Sequence, residues 1–266
     1  MRKHNVIALL AAGIINSAAV FADVPHWNYE EQDQPAGWGA IEGAGTPPPI
    51  NYPYAECAIG TKQTPVDISN TRKTPILNGL TFNWKPFTAD FYNTGHAVQV
   101  QPVDPKSYKG TTKVGKDVYP LLQAHLHTPS EHTLNGQKFE GEMHFVNVRT
   151  DGRITVVGMF IETGAYNPQI QLMLDNTINK PEEKTHNPTN LVFDPKKLLP
   201  KGTGSSKFYT YSGSLTTPPC TEGVNWYMYE KPITMSEAQL VKLKSFYDGN
   251  DRHLQDLNGR KLVTNK

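Results

Sequence analysis

The sequence predicts a mainly β (α+β) fold, a single domain built on a large, twisted, mostly antiparallel central sheet with a few short peripheral helices. Residues 96–103 (HAVQVQPV) alternate apolar and polar side chains, which is the pattern of a half-buried strand. Residues 154–162 (ITVVGMFIE) form a β-branched run suited to the middle of a sheet. Residues 224–233 (VNWYMYEKPI) are rich in the aromatic side chains that favour strands.

Helices are predicted at two places. The first begins with Asn167 as N-cap and Pro168 as the first helical residue. Its apolar face comprises the residues at helical spacing that follow: Ile170, Met173, Leu174 and Ile178. A second helix is predicted to begin at the capping box of Ser236 and Gln239 and to run through Tyr247. The polar, proline-interrupted stretch between them, residues 180–195, is predicted to be loop.

The amino terminus has the pattern of an export signal. Arg2 and Lys3 precede an apolar run over residues 6–15, and small residues allow cleavage after Ala22. The alternative, a membrane anchor, is disfavoured because this run is too short to span a bilayer. The chain is therefore divided into a signal peptide, residues 1–22, and one domain, residues 23–266. The predicted location is the periplasm or the cell exterior.

Composition limits the classes of binding partner and indicates the oxidation state of the cysteines. The 26 basic and 25 acidic residues nearly balance, and no basic run or heptad repeat is present. Nothing favours nucleic acid, a membrane surface or a coiled coil as a partner. No membrane span is expected in the mature chain. The chain has two cysteines, Cys57 and Cys220, and an oxidising compartment predicts that they form one disulfide. The alternative is a pair of buried free thiols.

Four of the nine histidines lie within residues 123–147. His125 and His127 are two apart, so they share one face of a strand, as Glu142, His144 and Val146 share a face of the next. If these strands pair antiparallel, three imidazoles converge. Three neutral imidazoles make a tetrahedral zinc site with one open position, which is the catalytic pattern. The alternative is that the histidines are scattered over the surface and the core.

The polar residues beside these histidines are predicted to be their hydrogen-bond partners. A ligating histidine usually donates its second ring N–H to an outer acceptor. Gln123 lies on the face of His125, and Glu142 on the face of His144. His132 would face the other side of a regular strand, so it is predicted to be a buried, hydrogen-bonded structural histidine and not a ligand.

A series of short segments, taken in order, resembles the bacterial α-class carbonic anhydrases over nearly all of residues 23–266. The segments are HWNY at 26–29, QTPVDI at 63–68, NTGHAV at 93–98, QAHLH at 123–127, SEH at 130–132, EMHFV at 142–146, YSGSLTTPPC at 211–220, EGVNW at 222–226 and NDRHLQ at 250–255. Each segment alone is a weak match, and their common order makes the resemblance specific.

The resemblance implies zinc-dependent, reversible hydration of carbon dioxide to bicarbonate and a proton, by attack of zinc-hydroxide. It makes the zinc ligands His125, His127 and His144. It makes Gln123 and Glu142 the hydrogen-bond acceptors of His125 and His144, as already predicted. The backbone carbonyl of Asn250 then orients His127.

The resemblance also assigns roles around the metal. Thr216 is expected to orient the attacking oxygen by donating its hydroxyl hydrogen to Glu131. His96 is expected to shuttle protons to solvent. Without the resemblance, Thr216 reads as turn chemistry, Glu131 as a surface charge and His96 as an exposed strand histidine.

Carbon dioxide is apolar and needs an apolar wall beside the metal. The residues that match the family's substrate pocket are Val146, Val156, Leu215, Thr217, Val224 and Trp226. Packing in the sheet core accounts equally well for each apolar residue taken alone. Carbon dioxide and bicarbonate are the expected partners, and a homodimer is compatible with the resemblance. A non-catalytic binding module and a zinc esterase are the alternative functions.

Overall fold

The structure is a computed structural model that describes residues 25–34, 36–43, 52–74, 79–180, 184–185, 190–200, 202 and 206–266. The predicted signal peptide, residues 1–22, lies outside the described residues. Among the helices of the described ranges, none has the length and apolar character needed to cross a bilayer.

Strands dominate the described part of the chain. They are β1 (Asp67–Ile68), β2 (Arg72–Lys73), β3 (Leu80–Phe82), β4 (Phe87–Asn93), β5 (Val98–Pro102), β6 (Thr111–Val114), β7 (Asp117–His127), β8 (Thr133–Leu134), β9 (Gly141–Val148), β10 (Ile154–Thr163), β11 (Lys184–Thr185), β12 (Val192–Phe193), β13 (Phe208–Ser214), β14 (Glu222–Met235) and β15 (Val263–Thr264). The α-helices are α1 (Glu56–Ile59), α2 (Pro168–Asn176) and α3 (Glu237–Lys244). Short 3₁₀ helices lie at Glu30–Asp33, Gly37–Ala40 and Pro195–Leu198.

The main sheet runs in the order β11-β4-β5-β7-β9-β10-β14-β13-β15-β2. Neighbours pair antiparallel except at β10–β14 and β15–β2, which pair parallel. β12 pairs with β4, β6 pairs with β3 and β7, and β1 and β8 form a separate parallel pair. The predicted large, mostly antiparallel sheet with few helices is therefore confirmed.

The central strands β9 and β10 are buried along almost their whole length. Their apolar residues divide between two clusters: one includes Phe145 and Met159, and the other Val146 and Phe160. Alternation along each strand places successive side chains on opposite faces of the sheet. Gly158 interrupts the run in β10 because an added Cβ would lie 2.1 Å from Met228 Sδ.

Helix α2 begins as predicted but ends earlier. The Asn167 side chain accepts hydrogen bonds from the backbone N–H groups of Gln169 and Ile170. The helix stops at Asn176 because Thr177 takes an extended conformation (φ −85°, ψ 126°). The prediction that Ile178 continues the apolar face is wrong, since this side chain lies beyond the helix and is 42% exposed.

Helix α3 begins with the predicted capping box, in which Ser236 and Gln239 each bond the other's backbone N–H. The predicted end at Tyr247 is wrong, because the helix finishes at Lys244. A long-range contact takes over there: the Tyr247 hydroxyl donates to Asn93 Oδ1 on β4. The periodicity of the sequence cannot predict this contact.

The predicted loop over residues 180–195 is wrong in part: residues 184–185 and 192–193 form short strands, whereas residues 180, 190–191 and 194 belong to no strand or helix. Strands β11 and β12 each add two residues beside β4. A 3₁₀ helix then begins at Pro195, after Asp194 accepts a hydrogen bond from the Lys196 N–H. These strands form because the edge of β4 is available for pairing. Since β4 is distant in sequence, local residue patterns do not predict this pairing.

The predicted disulfide between Cys57 and Cys220 is confirmed. It joins α1 to the loop between β13 and β14, 163 residues later. Cys220 is fully buried and packs in a small cluster with Trp27, Trp38 and Tyr54. The bond therefore fixes the loop that carries Thr216 against the amino-terminal part of the domain.

We expect reduction of this disulfide to lower thermal stability. Closing a loop of 163 residues removes unfolded-state entropy equivalent to about 5 kcal/mol as an idealised upper figure. The measurement is the melting temperature with and without reductant. Cys57→Ala should melt like the reduced parent and should not respond to reductant. Two free thiols by mass spectrometry in protein recovered from an oxidising compartment would contradict the pairing.

Candidate metal centre

The three histidines of the predicted site converge on one face of the main sheet. Strands β7 and β9 pair antiparallel with His125 directly opposite His144. His127, two residues further along β7, shares the face of His125. The ring centroids are 5.0 Å apart for His125 and His127, 5.1 Å for His125 and His144, and 4.6 Å for His127 and His144. The predicted antiparallel pairing is therefore confirmed.

One nitrogen of each ring is already engaged by an oxygen acceptor. The pairs are His125 Nδ1 with Gln123 Oε1 at 2.8 Å, His127 Nδ1 with the Asn250 carbonyl oxygen at 2.6 Å, and His144 Nε2 with Glu142 Oε1 at 2.6 Å. Because these oxygens accept, each engaged nitrogen carries the hydrogen. The other nitrogen of each ring keeps a free lone pair, and the structure places all three predicted outer partners in contact with their histidines.

The free nitrogens fit a zinc ion. The candidate ligand atoms of the three histidines all lie within 4.8 Å of one another. His125 Nε2 and His144 Nδ1 are 3.2 Å apart, and two nitrogens bound to a tetrahedral zinc ion at about 2.0–2.1 Å are about 3.3–3.4 Å apart. His127 Nε2 is buried and has no hydrogen-bond partner within the described chain. Such an atom is costly in a protein interior unless something binds it.

Burial favours the neutral form of His125 and His144. Burial holds the pKa of His125 well below its usual range, and the neighbouring His127 and His144 lower it further. Burial also lowers the pKa of His144, although contact with Glu142 opposes that shift. A metal ligand must be the neutral imidazole, so the lowered pKa values favour binding.

Glu142 is the charged centre of the network behind the metal ligands. Burial alone would raise the pKa of its carboxyl, but electrostatic interactions and hydrogen bonds with His132 and His144 outweigh burial and hold that pKa well below the usual range. The His132 backbone N–H donates to Glu142 Oε2 at 2.9 Å, and its Nδ1–H donates to Oε1 at 2.7 Å. The ionised carboxylate thus accepts from two histidines at once.

His132 is buried and hydrogen-bonded as predicted, but the reasoning from strand alternation was wrong. Residues 128–132 form a loop between β7 and β8, so Glu131 and His132 both point inward. His132 Nε2 lies 2.6 Å from the Tyr211 hydroxyl, which donates to it. His132, Glu142 and His144 also form a close group that could be taken for a metal site. Their mutual hydrogen bonds account for that proximity.

Glu131 is fully buried beside the candidate metal position. Its Oε1 accepts the Arg252 backbone N–H at 3.0 Å. Its Oε2 lies 3.5 Å from His127 Nε2 and 3.8 Å from His144 Nδ1. This Oε2 has no hydrogen-bond partner within the described residues. The predicted hydrogen bond from Thr216 is therefore not formed here, because the carboxylate is turned toward the imidazoles.

A cavity of about 140 Å³ opens over the ligands. It is lined by Leu122, Gln123, His125, His144, Val146, Val148, Ile154, Val156, Leu215, Thr216, Thr217 and Trp226. Of the predicted pocket residues, Val224 does not line the cavity. It is 1% exposed and packs in the apolar cluster behind it.

Three lining residues were missed in the sequence. Val148 and Ile154 lie two positions from the predicted Val146 and Val156, so strand alternation extended by one step would have found them. Leu122 could not be found this way. The β7–β9 register shifts between Leu121 and Gln123, and this irregularity breaks the alternation.

His96 lies on the turn between β4 and β5, outside the cavity lining. Its ring stacks on Trp27 with centroids 3.6 Å apart and an interplanar angle of 11°. Burial, together with the nearby charge of His26, lowers the pKa of His96 to about 4. In this ring position the imidazole is a weak proton acceptor, so the predicted shuttle requires the ring to turn toward solvent.

The chain is similar to carbonic anhydrases in sequence and structure. The profile of the eukaryotic-type carbonic anhydrase family matches residues 49–266. A carbonic anhydrase of Nostoc sp. is 34% identical over 247 residues, covering 91% of this chain and 87% of the relative. One of Pectobacterium atrosepticum is 32% identical over 267 residues, covering 99% and 100%. The structure of the Thermovibrio ammonificans α-carbonic anhydrase with sulfanilamide has a TM-score of 0.77 and 35% identity, covering 90% of this chain and 98% of that one.

We expect the protein to bind about one zinc ion per chain, and His144→Ala to weaken binding more than about 100-fold. Loss of an outer partner alone costs about 10–100-fold, so loss of a ligand should exceed that. The measurement is zinc content after dialysis against a chelator. His253→Ala, which removes an exposed histidine paired with Asp33, is the matched control and should keep its zinc. Full zinc content in a triple substitution of His125, His127 and His144 would refute the assignment.

Proposed function

The chain belongs to the eukaryotic-type carbonic anhydrase family, and from that premise we propose that it catalyses zinc-dependent, reversible hydration of carbon dioxide to bicarbonate and a proton. The observation that carries the proposal is the convergence of three imidazole nitrogens beside a largely apolar cavity that His125 and His144 line. One of these nitrogens, His127 Nε2, is buried with no hydrogen-bond partner among the described residues. This arrangement leaves a coordination position facing the cavity, which a catalytic zinc site requires.

A zinc ion held by His125, His127 and His144 would supply Lewis acidity and lower the pKa of a bound water molecule to about 7, the value typical of carbonic anhydrases. The chain's own part is to hold the three rings rigidly. Gln123, Glu142 and the Asn250 carbonyl each fix one ring nitrogen. The ionised Glu142 also adds negative charge behind His144, which makes that imidazole a stronger electron donor.

Thr216 and Glu131 orient the attacking oxygen in the proposed mechanism. Both are buried at the site, with Thr216 6% exposed on the cavity wall and Glu131 beneath it. The free Oε2 of Glu131 is the acceptor available to the Thr216 hydroxyl. Once that hydroxyl has donated its one hydrogen to Glu131, it can act toward the nucleophile only as a hydrogen-bond acceptor. The nucleophile's lone pair is then directed toward the substrate.

The apolar wall receives carbon dioxide. Val146, Val156 and Trp226 line the cavity next to His144. Carbon dioxide has no strong hydrogen-bonding group. When it displaces water from this apolar surface, no polar group of the protein is left unpaired. Charged bicarbonate gains nothing from the same wall, and this difference favours its release.

His96 is proposed to return the proton to solvent after each hydration event. A relay is most efficient when its pKa lies near that of the proton donor, and histidine is the side chain whose ordinary pKa lies in this range. The stacked ring is partly buried, whereas a ring turned away from Trp27 would be more fully hydrated. We therefore assign proton transfer to the exposed ring position.

The proposed location is the periplasm or the cell exterior. The Cys57–Cys220 disulfide supports it, since such bonds persist in oxidising compartments. The signal-like start of the sequence supports it independently.

The test is a stopped-flow hydration assay with metal analysis on the exported protein. We expect fast hydration that requires about one zinc per chain and is lost on zinc removal. Turnover of a simple aryl ester, measured in parallel, distinguishes a carbonic anhydrase from an esterase. Zinc-loaded protein that does not hydrate carbon dioxide would overturn the proposal.

Thr216→Val is expected to lower the hydration rate by roughly 100-fold, because one preorganised hydrogen bond at a transition state is lost. Zinc content should not change, since Thr216 contacts no ring nitrogen. Thr155→Val is the matched control: it removes a buried hydroxyl that has no partner among the described residues, on the side of β10 away from the cavity. Near-parental turnover in Thr216→Val would remove Thr216 from the mechanism.

His96→Ala is expected to slow turnover in dilute buffer by at least about tenfold, because no group then relays the proton. Isotope exchange between carbon dioxide and bicarbonate at chemical equilibrium should change little, since that measurement does not require proton release. Added imidazole should restore much of the turnover. If His96→Ala turns over like the parent in dilute buffer, another group carries the proton.

A further inference from the structure

The turn that carries His96 lies just beyond a strand pairing. The ladder between β5 and β7 ends with Val98 opposite Leu126. Within the turn, the Thr94 hydroxyl oxygen accepts the His96 N–H at 3.2 Å and the Ala97 N–H at 2.8 Å. These bonds fix the shape of the turn. They do not fix its place relative to the strand that carries the metal ligands.

The side chain of Asn250 makes that connection. This residue is fully buried. Its Nδ2 donates to the His96 carbonyl oxygen at 2.9 Å and to the Leu126 carbonyl oxygen at 2.9 Å, while its Oδ1 accepts the Thr128 N–H at 2.7 Å. Leu126 and Thr128 flank the ligand His127. One amide therefore ties the His96 backbone to both neighbours of a metal ligand.

The backbone of Asn250 makes a separate set of hydrogen bonds. Its carbonyl oxygen accepts His127 Nδ1–H at 2.6 Å, and its N–H donates to the Thr128 carbonyl oxygen at 3.1 Å. The backbone thus contacts the His127 ring directly, whereas the amide links the His96 turn to the residues on either side of that ring. A substitution of the side chain removes the amide contacts and leaves the backbone contact to the ring, because every residue other than proline keeps the N–H and C=O groups.

We propose that the side-chain amide of Asn250 is a positioning residue, which sets the distance of His96 from the metal ligands and thereby the efficiency of proton transfer. The kinetic part rests on the proposed function, while the positional part does not. A buried amide with both Nδ2 hydrogens and its oxygen engaged is held rigidly. The turn inherits that rigidity, and the His96 ring moves only through its own side-chain torsions.

The experiment compares Asn250→Ala with Asn147→Ala in the full, zinc-loaded protein. Asn147 is a matched control because it is also fully buried and its Nδ2 also donates to two backbone carbonyl oxygens, those of Phe145 and Thr155. Those contacts lie on β9 and β10, away from the His96 turn. Should Asn250→Ala fail to fold, Asn250→Ser keeps an acceptor near the Thr128 N–H but is too short to reach the His96 carbonyl.

Three readouts are combined. Proton nuclear magnetic resonance follows the His96 ring, whose signal is assigned by its loss in His96→Ala and is shifted by the current of the stacked Trp27 ring. Turnover in dilute buffer and isotope exchange at equilibrium separate proton transfer from hydration. Zinc content shows whether the metal centre is intact.

For Asn250→Ala we expect a displaced His96 signal, retained zinc and a fall in turnover that clearly exceeds any fall in isotope exchange. Turnover in dilute buffer should fall about tenfold, as for a reacting group that is present but misplaced, and imidazole should restore it. The double variant with His96→Ala should be no slower than His96→Ala alone, because Asn250 acts through His96. Asn147→Ala should leave the His96 signal and the ratio of turnover to exchange at parental values.

Two results would overturn the proposal. An unmoved His96 signal would show that the amide does not place the turn. Equal losses in turnover and isotope exchange would show that Asn250 acts on the metal centre instead. If His96→Ala itself has parental turnover, the shuttle assignment of the proposed function fails, and the His96 signal alone then decides whether Asn250 positions the turn.

Discussion

The register of β7 against β9 is the constraint on which the metal centre depends. It sets His125 opposite His144 and leaves their free nitrogens 3.2 Å apart. A slip of one residue would turn His144 to the other face of the sheet, because side chains alternate along a strand. The register is held by apolar side chains buried on both faces of β9, so burial of the core and assembly of the site are secured by the same pairing.

A polar network inside this apolar sheet is stable only because nearly every group in it is paired. Glu142 keeps its charge by accepting from His132 and His144. Two atoms at its centre, His127 Nε2 and Glu131 Oε2, are buried with no hydrogen-bond partner among the described residues. They lie 3.5 Å apart, next to the position that a metal ion would take. Both unpaired atoms therefore lie where chemistry is proposed.

Two segments that are distant in sequence from the β7–β9 pair contribute to the site. The loop between β13 and β14 brings Thr216, and its position is set by the disulfide at Cys220 and by the bond from Trp226 Nε1–H to the Ser214 carbonyl oxygen. The segment around Asn250 contacts both the His127 ring and the His96 turn. Neither segment belongs to the β7–β9 pair, so the ligands are positioned by the sheet and their surroundings by loops anchored to it.

Residue types and spacing were enough to predict the class of fold, the three histidines of the candidate metal centre, their hydrogen-bond partners Gln123 and Glu142, and the disulfide. Spacing of two along strands and capping chemistry at Asn167 and Ser236 are local signals that survive folding. Only the folded chain sets the ends of α2 and α3, the edge strands β11 and β12, the inward turn of Glu131 and the stacking of His96 on Trp27. Each of these depends on a partner far along the chain, such as Asn93 for Tyr247. A local pattern of residues carries no information about which distant group will arrive beside it.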